Sequence, residues 1–245
     1  MNIKGKMPTL TIFNAYWKVL KKKAGLIKIP PIIKTVRKNG LSYLGEGALY
    51  DLHKQVSKIE KSNIPGIIIE AGCALGGSAI VIADAKNSKR PFKVYDVFGM
   101  IPPPTEEDGA DIQKRFKEIL DGNSNGIDGN KYYGYRDDLL SEVKINFSEM
   151  GLEIEENNIE LIEGKFEDTL FVKDQVALAH IDSDWYQSVL TCLQRIVPKL
   201  AKGGIIAVDD YYCWSGCKKA VDEYFADKKE KFIFRTRERL FIELK

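Results

Sequence analysis

Glu70-Ala-Gly-Cys-Ala-Leu-Gly-Gly-Ser78 follows the apolar run Gly66–Ile69 and precedes the helix-forming run Ala79–Ala85. An apolar segment that short reads as a buried strand, so the nine residues form a strand-to-helix turn. Gly72 and Gly76 let the backbone turn tightly and approach a ligand, with the amides of the helix start beside it. That arrangement is a seat for a nucleoside cofactor. A dinucleotide fingerprint would be Gly-x-Gly-x-x-Gly, and Ala74 stands where its second glycine brings the chain against a pyrophosphate. Taken alone, the turn also allows glycines that serve only packing. Asp96 argues against this, because it ends the next strand where a carboxylate takes two ribose hydroxyls.

Outward from the turn, strand and helix patterns alternate. Further strands are expected at Phe92–Tyr95, Ile159–Ile162, Leu178–Ile181 and Ile205–Val208. Leu49, Leu52, Val56 and Ile59 recur at helical spacing within Gly47–Lys61. Other helices are expected at Ile112–Leu120, Leu139–Met150, Tyr186–Leu200 and Cys217–Lys228. Phe232–Arg235 and Leu240–Leu244, separated by a short charged turn, read as a terminal hairpin. The order predicts an α/β fold: a doubly wound, seven-stranded, mostly parallel sheet ending in an antiparallel hairpin, with ligands at the carboxyl ends of the strands. The domain is expected over 41–245, with an insertion at about 102–151 that reads as a lid over the site.

The hydrophobic fraction of 44% with 29% charged residues is that of a globular chain. No apolar run approaches the roughly 18 residues of a membrane span, and no signal peptide is visible. Four scattered cysteines read as reduced, and the chain as cytoplasmic. Cys213 and Cys217 are half a metal site at most, without a second pair. Residues 1–40 carry ten Lys or Arg and no acid, leaving the body at −8 (27 basic against 35 acidic residues). Such a basic extension suits an anionic substrate, a membrane surface or a neighbouring subunit in a homo-oligomer, or is a solvated arm. The acidic body does not suit nucleic acid.

Carboxylates converge at two other strand ends. Asp182 and Asp184 lie in Ala-His-Ile-Asp-Ser-Asp-Trp-Tyr, and Asp209 and Asp210 in Ala-Val-Asp-Asp-Tyr-Tyr. Neighbouring acids repel unless a cation or protons offset them, and oxygen-only donors favour Mg²⁺, Ca²⁺ or Mn²⁺. Alternatively, some cap the following helices, as Asp184 would for Tyr186–Leu200. His180, inside a buried strand, reads as a satisfied core histidine, and His53 as a surface or packing residue. Ser78 lacks the nucleophile elbow Gly-x-Ser-x-Gly.

The run Glu70–Ser78, with Asp96-Val-Phe-Gly-Met-Ile-Pro102, Glu163-Gly-Lys-Phe-Glu-Asp-Thr-Leu170, His180-Ile-Asp-Ser-Asp-Trp-Tyr186 and Lys202-Gly-Gly-Ile-Ile-Ala-Val-Asp-Asp-Tyr211, resembles the TylF-like macrocin O-methyltransferase family over roughly residues 36–228. The resemblance implies a class I enzyme that uses S-adenosylmethionine and Mg²⁺ to methylate a hydroxyl of a sugar or phenol, on a small molecule or glycan. It implies that Asp182, Asp209 and Asp210 ligate Mg²⁺ and that Glu70, Gly72, Cys73, Gly76, Ser78 and Asp182 surround the cofactor's methionine end. Asp96 and Phe98 would hold the ribose, Gly164, Lys165 and Phe166 would border the adenine, and Asp184 would be the general base. Two departures concern the acceptor. Lys131–Arg136 lacks the insertion histidine of some sugar-modifying members, and the Asp-Ser-Phe-Glu-Gly-Leu-Pro segment is altered at Gly99 and Met100. Rival readings are a nucleotide-dependent oxidoreductase and a non-catalytic binding protein of the same fold.

Overall fold

Side chains alternate along each strand, so a sheet covered on both faces sends every strand's residues into two separate cores. The computed structural model describes residues 28–245. Its elements in chain order are α1 (Pro31–Lys38), α2 (Glu46–Lys61), β1 (Ile67–Ala71), α3 (Gly77–Ala85), β2 (Phe92–Asp96), α4 (Ala110–Leu120) and α5 (Leu139–Glu149). Then follow β3 (Ile159–Glu163), the single turn α6 (Phe166–Thr169), β4 (Val176–Ile181), α7 (Tyr186–Ile196), β5 (Leu200–Val208), α8 (Ser215–Tyr224), β6 (Phe232–Thr236) and β7 (Leu240–Leu244). The sheet order is β3-β2-β1-β4-β5-β7-β6, parallel through β5 and antiparallel at the hairpin. Ile68, Leu178, Ile205 and Phe241 face a core closed by α1, α2, α3 and α5. Ile69, Ala179, Ile206 and Ile242 face the opposite core, closed by α7 and α8. The expected doubly wound sheet with its terminal hairpin is the fold.

Several boundaries differ from the sequence pattern. The helix expected to reach Leu200 ends at Ile196, and β5 begins at Leu200, not Ile205. Pro198 lacks the amide that would continue the helix, and Val176 of β4 pairs with Leu200, drawing it into the sheet. The core also takes in residues before 41. Ile33 and Val36 of α1 are fully buried, and Arg37 donates to the carbonyls of Ser42 and Leu44 at 2.6 and 3.0 Å. This segment reaches the glycine turn, where the Gly77 amide donates to the Leu41 carbonyl at 3.0 Å. The other expected helical stretch, Phe13–Lys23, and six of the ten N-terminal basic residues lie outside the described residues.

Half of the insertion is core. Leu139, Val143 and Phe147 of α5 are buried against the turn, with Val143 Cγ1 where a Cβ on Gly76 would come within 3.1 Å. The other half, around α4, is tied to the opposite layer: Asp111 accepts from the Ser215 amide at 3.0 Å, and Lys219 donates to Glu107 at 2.5 Å. Among the described residues no helix is long and apolar enough to cross a membrane.

Candidate active site

The sheet reverses its winding between β1 and β4, and an open α/β sheet binds ligands at that crevice, beyond the carboxyl ends. Tyr95, Ala71, Ile181 and Val208 form one registered row across β2, β1, β4 and β5. The next residue on each strand is Asp96, Gly72, Asp182 and Asp209, so the register alone places the predicted cofactor and metal residues side by side. The ladder continues into this row: the amides of Gly72, Asp182 and Asp209 donate to Tyr95, Ala71 and Ile181 at 2.8, 2.9 and 2.9 Å. Gly72, at φ +89°, has no room for a Cβ, which would overlap the Asp182 carbonyl oxygen. The glycine is therefore what lets β1 and β4 stay adjacent where the site begins.

Asp96 organises the turn. Its Oδ2 accepts the Cys73 and Ala74 amides at 2.7 and 3.2 Å, and its Oδ1 accepts the Phe98 amide at 2.8 Å. Burial nevertheless holds its carboxyl above the usual value, with those three amides pulling the other way. Ala74 and Phe98 both adopt left-handed backbone, φ +48° and +46°. Such strain in non-glycine residues costs of order 1–3 kcal/mol each and concentrates at functional sites.

On the α1–α3 face, alternation continues the apolar pairs Ile68 and Leu178 into the polar pair Glu70 and His180. His180 Nδ1 lies 2.7 Å from Glu70 Oε1, and its Nε2 lies 3.7 Å from Asp209 Oδ1. The same Asp209 oxygen accepts from Arg239 Nε, delivered by the β6–β7 turn. Burial opposes charge on His180, but its two carboxylate partners prevail and raise it to about 9. Asp209 moves oppositely: burial raises it, and His180 and Arg239 outweigh burial and hold it below the usual carboxylate range. His180 is thus the satisfied core histidine the sequence suggested, with both ring nitrogens engaged.

Asp182, Asp184 and Asp210 form one group, with one oxygen of each within 4.8 Å of the others. Asp182 also groups with His180 and Asp209 in the same way, so Asp182 joins all four acids. Burial, then the neighbouring carboxylates, push Asp182 and Asp210 well above ordinary values. Burial raises Asp184 to about 6, against a hydrogen bond from Asp210. Asp184 is not the cap of α7: it sits at φ +56°, and the Tyr186 amide donates to Asp108 Oδ1 from the insertion at 2.7 Å.

Two cavities meet here. One, of about 360 Å³, includes Gly99, Ile101, Pro103, Lys165, Phe166 and Ser188 in its lining. The other, of about 310 Å³, is walled by Tyr43, Tyr132, Trp214, Arg115, Asp210 and Arg239. Gly72, Asp96, Tyr133, Asp182, Asp184 and Trp185 line both. A seat for a nucleoside donor on one side of a carboxylate cluster, with an aromatic chamber for a second reactant on the other, is the geometry of group transfer between two bound molecules. Residues 34–233 match the macrocin-O-methyltransferase (TylF) family.

The chain belongs to that family.

It is an S-adenosylmethionine-dependent O-methyltransferase. It is 28% identical over 198 residues to the demethyldecarbamoylnovobiocin O-methyltransferase of Streptomyces niveus, covering 77% of this chain and 69% of that one. It is also 28% identical over 187 residues to the 8-demethyl-8-(2,3-dimethoxy-alpha-L-rhamnosyl)-tetracenomycin-C 4'-O-methyltransferase of Streptomyces olivaceus, covering 74% of this chain and 66% of that one. The O-methyltransferase NovP shares the fold at a TM-score of 0.68 and 27% identity, over 84% of this chain and 81% of that one.

Of the cofactor residues expected in this methyltransferase, Gly72, Asp96, Lys165, Phe166 and Asp182 line the cavities. Glu70, Cys73, Gly76, Ser78, Phe98 and Gly164 are not in that lining; Glu70, fully buried, keeps Oε2 without a partner. Of the expected metal residues, Asp182 groups with Asp210 and Asp184 on one side and with Asp209 and His180 on the other. Sequence reasoning missed Arg239, Arg115, Tyr43, Tyr132, Tyr133 and Trp214. The Tyr132 and Tyr133 rings lie 4.4 Å apart, tilted by 46°, and Trp185 meets Trp214 edge-on at 6.0 Å; only the density of aromatics in Lys131–Tyr135 was a signal for them.

Proposed function

We propose that this methyltransferase acts on a hydroxyl of a sugar ring carried by a natural product or glycan, with Mg²⁺ in the aspartate cluster. The observation that supports this reading is that Asp182 and Asp184, with Gly72, Asp96, Tyr133 and Trp185, line both cavities, where a donor methyl and an acceptor oxygen would meet. Aromatic walls with a few polar groups suit a ring-sized ligand, and the relative from S. olivaceus is named for a rhamnosyl compound.

The residues fit a divalent cation. Asp210 Oδ2 is buried with no hydrogen-bond partner, and burial with the neighbouring carboxylates opposes charge on Asp182 and Asp210 unless a cation offsets it. Asp182, Asp184 and Asp210 offer only carboxylate oxygens, and an all-oxygen set favours Mg²⁺. Asp182, Asp209 and Asp210 would hold the ion, which would supply Lewis-acid polarisation of the acceptor hydroxyl. Asp184 accepts the hydroxyl proton as the oxygen attacks the methyl carbon, the carbon–sulfur bond breaks and S-adenosylhomocysteine leaves. The turn and Asp96 fix the donor, Trp185 and Tyr133 wall both reactants, and alignment is the largest rate contribution.

Methyl-labelled S-adenosylmethionine, incubated with panels of deoxyhexosides and catechols with and without Mg²⁺, tests the reading. Label should enter the sugars and be lost on chelation. Full activity in excess chelator would refute the metal, and labelling of catechols alone would refute the sugar.

A further inference from the structure

The turn of the terminal hairpin reads in sequence as a solvated run, Arg237-Glu238-Arg239, yet all three side chains are engaged. Arg237 Nη1 pairs with Asp51 Oδ1 at 3.3 Å, on the face of α2 where Asp51 is 1% exposed. Glu238 lies against the first turn of α2, so close that a Cβ on Gly47 would run into its carboxylate, where a helix N-terminus favours negative charge. The Arg237 amide closes the turn on the Arg239 carbonyl at 3.0 Å. Seated in this way, the turn carries Arg239 over the end of β5 to Asp209 and into the lining of the aromatic cavity. Arg239 and His180 meet the same oxygen, Oδ1, and Asp209 Oδ2 takes part in neither pair. His180 is itself fixed from behind by Glu70.

We infer that the Arg237–Arg239 turn is part of the metal site, with Arg239 a positioning residue that, together with His180, clamps Asp209 by one oxygen so that the other joins Asp182 and Asp210 as a ligand. The inference rests on the divalent-cation reading above. A carboxylate ligand free to rotate loses orientation each time the ion leaves. Partners behind such ligands typically change metal affinity about 10–100-fold when removed. The hairpin, which contributes no residue to the cofactor turn, thereby acquires a role in the chemistry through one side chain.

Mn²⁺ is the probe: its free fraction is read by electron paramagnetic resonance, while calorimetry reads S-adenosylhomocysteine affinity on the same samples. Arg239→Gln should weaken Mn²⁺ about 10–100-fold and leave S-adenosylhomocysteine affinity within about twofold. Arg239→Lys should recover part of the loss, and Arg237→Ala, which unseats the turn without touching the cluster, should weaken Mn²⁺ in the same direction. Melting curves identify any variant that fails to fold, and Arg237→Ala then carries the test. Equal or tighter Mn²⁺ binding by Arg239→Gln overturns the clamp, since Arg239 would then compete with the ion. Absence of saturable Mn²⁺ binding in the unmodified protein overturns the metal reading and the clamp together.

Discussion

Replacing Asp96 by Asn keeps the shape of the side chain but removes its charge and turns one acceptor into a donor. In the folded protein three amides converge on the carboxylate, two on Oδ2 at 2.7 and 3.2 Å and one on Oδ1 at 2.8 Å. The best amide orientation keeps its oxygen on Cys73 and Ala74 and sets its NH₂ against the Phe98 amide. One charge-assisted hydrogen bond is then lost, worth about 1.5–3 kcal/mol, and the remaining two weaken to neutral strength. Part of this is offset because burial already opposes the charge on Asp96, so the net loss is about 2–3 kcal/mol. A chain of this size should melt about 4–12 °C lower at 2–4 °C per kcal/mol. Calorimetry should show weaker S-adenosylhomocysteine binding as well, because the amides of Cys73 and Ala74 shape the cofactor turn. Melting of the ligand-free protein separates this from a purely ligand-binding role. Unchanged melting with a tenfold or greater loss of affinity would refute the reasoning and return Asp96 to a contact with the ribose alone.

Asp184→Asn should lower kcat by about 10²–10⁴, the usual contribution of a general base, with S-adenosylhomocysteine affinity preserved; single-turnover assays and calorimetry read the two. Ile33→Ala should cost about 2–5 kcal/mol in urea unfolding, because α1 belongs to the core; a cost below about 0.5 kcal/mol, the scale of a surface change, would restore the boundary at residue 41. Asp108→Ala removes the acceptor for the α7 amide and should cost about 0.5–2 kcal/mol, with a rise in KM for S-adenosylmethionine because Asp108 lines the donor cavity, measured by unfolding and steady-state kinetics.

The sequence by itself determined the sheet and the row of residues at its edge. Short apolar-rich strand runs, a glycine turn after the first and acids after the second, fourth and fifth are local signals. Parallel register then converts them into neighbours with no further information, which is why Asp96, Gly72, Asp182 and Asp209 were legible together. What the acids do there was not. Asp96 reads in sequence only as a ribose ligand, and the fold adds the Cys73, Ala74 and Phe98 amides to it; the alternative of Asp184 as a cap falls because Asp108 arrives from 76 residues away to take that place. Arg239, Arg115 and the tyrosines carry no motif. They enter the site only because the hairpin and the insertion fold back over the strand ends, a matter of long-range packing that no local window of sequence records. Burial is likewise a tertiary property. It makes four aspartates repel, engages both nitrogens of His180 and leaves Asp210 with an unpartnered oxygen, and so only the folded chain shows where a cation would be needed.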